Sequence, residues 1–158
     1  MQQFQPNANN ILEVLYNRRP EYLPLYEHHI DIGFIEKFTG EQLSEYQDSD
    51  PEYFFRKVTD FWKNNTYDAF DFEAPVCDVY PGHGAIMGGK PGPIQTRADF
   101  ERYPFDEIPV RFWEANKPKL DAIRKVLPAG MKAYGGCGYG IFESAQDLVG
   151  YENLCILQ

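Results

Sequence analysis

The sequence has 158 residues, 43% of them hydrophobic, 16% aromatic and 25% charged. A chain of that length fits one domain and can bury about 68–70% of its unfolded surface, so intrinsic disorder is excluded. Fifteen Lys and Arg against 24 Asp and Glu leave a formal net charge of −9, which repels a nucleic-acid backbone and an anionic membrane surface, and no basic patch offsets it.

No run of about 18 apolar residues marks a transmembrane helix. Residues 1–10 are polar and lack the basic-then-apolar layout of a secretory leader. The cysteines, Cys77, Cys137 and Cys155, are odd in number and widely spaced, which suits a reducing compartment better than a disulfide framework. A cytoplasmic protein is expected.

In chain order, Asn10–Tyr16 reads as a short helix stopped before Pro20, and Tyr22–Ile30 has the length and the Tyr, Leu and Ile content of a strand, weakened by Pro24. Asp50-Pro51-Glu52 opens a helix with an N-cap, a first-turn proline and an acid. Phe54, Val58, Phe61 and Trp62 mark its apolar face, and it ends near Asn64-Asn65. Tyr67–Ala74 alternates with period 2 as a second strand. Thr96 and Asp99 form a capping-box pattern for a short helix that stops at Pro104. A helix over Asn116–Leu127 follows, with Pro118 fitting only its first turn, and Met131–Gly135 is a third candidate strand. Ser144–Asp147 caps a last helix whose apolar pattern runs through Gly150 to Gln158 with no stop signal. That unfinished helix suggests a chain cut short. Strand–helix alternation argues for a parallel α/β sheet, and a (β/α)8 barrel typically needs about 250 residues. The expected architecture is therefore a single-domain fragment, the N-terminal part of a TIM barrel.

Polar residues gather at the predicted strand ends. Glu27, His29 and Asp31 would share one face, with His28 beside them, where barrel enzymes place catalytic groups. A carboxylate next to an imidazole can hold a tautomer, trade protons or bind a metal; the same residues also suit a solvated strand end. On the second strand Tyr67, Ala69, Asp71 and Glu73 share a face opposite Phe70 and Phe72. Because an acidic pair inside a barrel is costly, Glu73 at the strand end is the preferred functional candidate, with an N-cap or salt-bridge role as the alternative.

Cys77, Asp78 and His83 match no dedicated zinc spacing. Gly84–Lys90 nearly spells a phosphate loop, but Pro91 stands where Ser or Thr would reach magnesium, and the reading is rejected. Gly135–Gly140 lacks the dinucleotide glycine spacing, although it places flexible backbone after a strand. Cys137 within it has no neighbouring His in sequence to activate it.

The stretch Arg18–Leu25 after a short helix resembles the start of the uroporphyrinogen decarboxylase-like superfamily. So do Gly88–Ile94 followed by a capped helix with Tyr103-Pro104-Phe105, and Gly138–Ala145 with Leu148-Val149-Gly150. The resemblance implies the N-terminal half of a (β/α)8 barrel and a cytoplasmic enzyme acting on a small molecule. True decarboxylases of the family carry an arginine-bearing loop after the first strand. Tyr26–Asp31 has no arginine, and its acids would repel a polycarboxylate porphyrinogen. The family's catalytic Asp has only the approximate counterparts Glu73 and Asp78, and its tyrosine falls near Gln146 or Asp147. These departures point to the corrinoid- or thiol-linked methyltransferase branch. That branch's zinc ligands, a His-x-Cys and a later Cys, belong to a C-terminal half, so zinc and a corrinoid are implied only for the full-length protein and no metal ligand is assigned within these residues. On this reading His29, Asp31 and Glu73 would line the pocket mouth at the strand ends as catalytic residues, with Glu27 and His28 as substrate contacts and Tyr134 and Phe142 as apolar walls. A missing C-terminal half or a homodimer partner is expected to cover the exposed sheet edges. The reading from another class is a non-catalytic acidic binding module that holds its partner with aromatic residues.

Overall fold

The computed structural model describes residues 4–82, 85, 91–138 and 140–156. The helices are α1 (Asn9–Leu15), α2 (Ile32–Thr39), α3 (Pro51–Asn64), α4 (Arg97–Arg102), α5 (Ile108–Val126), α6 (Ile141–Val149) and α7 (Tyr151–Ile156). Strand β1 (Ala69–Asp71) follows α3, and β2 (Lys132–Tyr134) follows α5. The backbone gathers into two compact units, Met1–Phe72 with Lys117–Gly135, and Glu73–Asn116 with Gly136–Gln158.

In the first unit α3 forms where the sequence predicts it. The Asp50 side chain accepts a 3.0 Å hydrogen bond from the Tyr53 N–H, and Pro51 occupies the first turn. Phe54, Phe55, Val58, Phe61 and Trp62 are buried along one side of the helix and meet Ile35, Leu43, Phe70, Ala122, Ile123 and Met131 in one core. The rings meet edge to face, with Phe55 and Phe72 centroids 5.5 Å apart. A buried aromatic removes about 150–250 Å² from water, on the order of 4–6 kcal/mol of transfer free energy before entropy is subtracted. This cluster therefore dominates the stability of the unit.

Strands β1 and β2 pair in parallel, with Ala69 opposite Lys132, Phe70 opposite Ala133 and Asp71 opposite Tyr134. Alternation sends Phe70 and Phe72 to the core and leaves Asp71 on the other face. A fully buried carboxylate, Asp68, precedes β1 and ties down the N-terminal segment: its Oδ1 accepts from the Asn7 N–H and the Tyr22 hydroxyl, both at 2.6 Å. The Ala8 N–H adds a 3.0 Å bond to the Gly130 carbonyl. Gly130 has φ +82°, and a Cβ there would lie 2.0 Å from the Pro6 carbonyl oxygen, so both conformation and space call for glycine.

In the second unit Thr96 and Asp99 cap each other's backbone at the start of α4, as the sequence predicts. Within this unit the Ala74 N–H donates to the Gly136 carbonyl at 3.0 Å and the Val76 N–H to the Cys137 carbonyl at 2.8 Å. Helix α6 starts at Ile141, three residues before the predicted cap, because the Glu143 carboxylate accepts from the Gly140 N–H at 2.8 Å. Its Leu148 carbonyl accepts from the Ile94 N–H at 2.9 Å. Gly150, at φ +87°, then separates α6 from α7; the continuous helix expected there is two helices, and residues 157 and 158 lie outside the described residues.

Several expectations are overturned. The described residues are mainly helical and hold one two-stranded parallel sheet, so this is not part of a (β/α)8 barrel. The segment Tyr22–Ile30 forms no strand: Pro24 cannot donate to a ladder, and Leu23 is 83% exposed where a barrel strand would be buried. The second predicted strand shrinks to three residues. Helix α5 begins eight residues earlier than expected, because Pro109 is the first-turn proline and Pro118 is tolerated in the interior. Helix α2 has no counterpart among the predicted elements. Asp31, expected at the end of a strand, is its N-cap, and Gly40, at φ +75°, closes it. Among the described residues no helix is long and apolar enough to cross a membrane.

Candidate functional site

The polar face of β1 and β2 in the first unit brings together most of the residues singled out from sequence. Asp71 ends β1, and its side chain is only 5% exposed although it points away from the apolar core. The His29 Nδ1 lies 3.4 Å from Asp71 Oδ2, while the imidazole itself is 65% exposed. A mostly buried carboxylate thus faces one nitrogen of a ring whose body is open to solvent. That arrangement can fix a tautomer and leave Nε2 available to a ligand.

Tyr134 sits across the register from Asp71, and its hydroxyl donates to the Glu27 carbonyl. Its ring packs on Tyr26 with centroids 5.3 Å apart, and the Tyr26 hydroxyl and His28 Nδ1 share a 3.2 Å hydrogen bond. Burial, then the negative charge of Asp71, pushes the Tyr134 phenol well above its usual range, although the bond to the Glu27 backbone opposes the shift. Tyr67 is shifted up in the same sense by burial and by the Glu27 carboxylate. Both hydroxyls stay protonated at ordinary pH, and that of Tyr134 serves as a donor.

The other predicted site residues are placed differently. Asp31 Oδ1 accepts from the Phe34 N–H at 3.3 Å, so that carboxylate is engaged at the start of α2. Glu73 is exposed and Phe142 is 59% exposed on α6, and both belong to the second unit. In the second unit a concavity of about 440 Å³ is lined by Pro91, Gln95, Gly150 and Asn153 among others; among the described residues it brings no acid–base pair together. Cys77 is buried and its Sγ donates to Asp78 Oδ1 at 3.8 Å, and Cys137 and Cys155 are exposed free thiols. His83 and residues 86–90 of the glycine-rich stretch lie outside the described residues, as does Tyr139.

Sequence reasoning passes over Asp71 in favour of Glu73. The signal for Asp71 is present in the alternation of Tyr67–Ala74, since it is the acid on the polar face that still lies within the paired strand. Burial of that acid looks too costly from sequence alone, and the His29 imidazole 3.4 Å away offsets part of the cost.

Among the described residues no group of three or more His, Cys, Asp and Glu side chains could hold a metal ion. The zinc ligands implied by the family resemblance were expected in a C-terminal half and not among these residues, and no chemical step is routed through zinc or a corrinoid. Comparison of the chain with protein-family models, with curated proteins and with solved structures finds no match in any of the three.

Proposed function

We propose that the chain carries the acid–base centre of a cytoplasmic enzyme related to the uroporphyrinogen decarboxylase-like superfamily, acting on a small molecule and nearer its methyltransferase branch than its decarboxylases. The observation that supports this most is His29 held against the mostly buried Asp71, an imidazole–carboxylate pair that can pass a proton. With Nδ1–H donated to Asp71, His29 Nε2 can take the proton of an acceptor thiol, and Asp71 stabilises the imidazolium left behind. A methyl donor, when bound, would supply the methyl group that the thiolate accepts. The absence of arginine from Tyr26–Asp31 and the acids Glu27 and Asp71 favour this over decarboxylation of a polyanionic porphyrinogen.

The test is methyl transfer from a methylcorrinoid to a panel of small thiols, followed by absorbance, with the full-length protein and its His29→Ala variant. A loss of about 100-fold or more is expected, the scale of general acid–base catalysis, with an unchanged melting temperature. Unchanged turnover removes His29 from the site, and no transfer by the wild-type protein across the panel retires the methyltransferase reading.

One observation favours a non-catalytic binding module instead. On α2, Phe34 and Phe38 are 55% and 62% exposed and stack with centroids 6.3 Å apart. If that face were the functional one, Phe38→Ser would abolish function and His29→Ala would spare it.

A further inference from the structure

The segment that carries Glu27, His28 and His29 has no regular secondary structure and lies at the surface. Nothing in its own backbone fixes where His29 sits, yet the imidazole faces Asp71 on a strand 42 residues away. Asp71 is anchored by its ladder, with its register partner Tyr134 directly opposite. Tyr134 also reaches the loop. Its hydroxyl donates to the Glu27 carbonyl, two residues before His29, and its ring lies against Tyr26, three residues before His29. One side chain therefore touches the loop that bears the base and stands beside the carboxylate that orients it.

From the other side the loop is held by Asp31, which caps α2 two residues after His29. The Asp31 cap fixes the exit of the loop, and the Tyr134 hydroxyl fixes its entry. Between these two points lie only His28, His29 and Ile30, and Ile30 packs against the core. A three-residue span pinned at both ends has little freedom, so loss of either pin is felt at the imidazole.

We infer that Tyr134 is a positioning residue: its hydroxyl, by holding the Glu27 carbonyl, sets the His29 imidazole against Asp71. The inference rests on the reading of His29 and Asp71 as the functional pair. The phenol stays protonated in this role and does not exchange a proton with substrate. Its ring and its hydroxyl make separable contributions, the ring packing on Tyr26 and the hydroxyl fixing the backbone.

The experiment is long-range nitrogen–proton NMR of the His29 ring in the full chain. It is run in alkaline solution, where imidazoles are neutral and the two tautomers give distinct nitrogen signals. Asp71→Asn serves as the reference for an imidazole without its carboxylate. In the wild type the Nδ1–H tautomer is expected to dominate. Tyr134→Phe, which keeps the ring and removes only the hydroxyl, is expected to reduce the tautomer ratio about fivefold towards the Asp71→Asn value, the scale of one ordinary hydrogen bond. Tyr26→Leu, which removes the ring contact and the Tyr26 bond to His28 but keeps the Tyr134 hydroxyl, is expected to leave most of that ratio in place. A ratio in Tyr134→Phe equal to the wild type overturns the inference, as does a loss in Tyr26→Leu as large as that in Tyr134→Phe. The functional reading fails separately: an unaffected His29→Ala turnover sinks the site whatever the tautomer ratio, and an unmoved ratio sinks the latch even where His29→Ala abolishes turnover.

Discussion

Removing the carboxylate of Asp68 is expected to release the N-terminal segment from the rest of its unit. The side chain is fully buried, and its Oδ1 accepts two hydrogen bonds of 2.6 Å, from the Asn7 N–H and the Tyr22 hydroxyl. A hydrogen bond to a charged acceptor contributes about 1.5–3 kcal/mol, so two of them set an upper bound of roughly 6 kcal/mol. Two effects lower that figure. Tyr22 is 36% exposed, so water replaces part of what its hydroxyl loses. Asp68 Oδ2 is itself buried with no hydrogen-bond partner among the described residues, a cost that disappears with the side chain. A loss of about 3 kcal/mol for Asp68→Ala follows, within the range for breaking a buried charge network. Asp68→Asn keeps a neutral acceptor for both donors and should cost only about 1 kcal/mol. Urea denaturation gives the values, read by Trp62 fluorescence in a Trp113→Phe background so that the signal comes from the buried indole of the first unit. A double-mutant cycle of Asp68→Ala with Tyr22→Phe should show a coupling of about 1–2 kcal/mol. If Asp68→Ala stays within about 0.5 kcal/mol of wild type, the scale of a neutral surface change, or if the cycle shows no coupling, the carboxylate is not the anchor described.

The fold should also lose stability in alkali. Burial, more than any neighbouring charge, holds the phenols of Tyr22 and Tyr103 at about 12 against a usual 10. Folding thus favours the neutral form of each, so their contribution is complete below pH 10 and is lost progressively as pH rises from 10 to about 12. Phenolate absorbance followed alongside circular dichroism checks this; titration of both groups at pH 10 with the fold intact would contradict it. In the second unit, Gly92→Ala places a Cβ 2.2 Å from the Leu148 carbonyl oxygen, backbone against backbone. The shift this forces also strains the Ile94 N–H bond to that same oxygen, and a loss of about 2–3 kcal/mol is expected in a thermal or urea melt. A variant as stable as wild type would mean that this approach is looser than the geometry implies.

What the sequence made legible was whatever is written in adjacent residues. Asp50-Pro51 and Thr96 with Asp99 are local caps, and the helices they predict begin where they should. Period-2 alternation located β1, and with it the face that carries Asp71. The segment Tyr22–Ile30 misled because short apolar runs do not distinguish a strand from an irregular segment held by side-chain anchors. Its anchors, Tyr134 and Asp68, are remote in sequence. Asp31 and Gly40 do punctuate α2, but reading Asp31 as the end of a strand hides the helix that it starts. Within the site, His29 is visible as a titratable group. Its pairing with Asp71 is not, since a contact across 42 residues has no local signature.

The three thiols divide sharply by access: Cys77 is buried, whereas Cys137 and Cys155 are exposed. All three belong to the second unit. A thiol-alkylating reagent applied to the native protein will therefore add two labels quickly and a third only when that unit opens. Counted by intact mass over time, the third label is a built-in clock for the opening of the second unit, and it requires no introduced reporter.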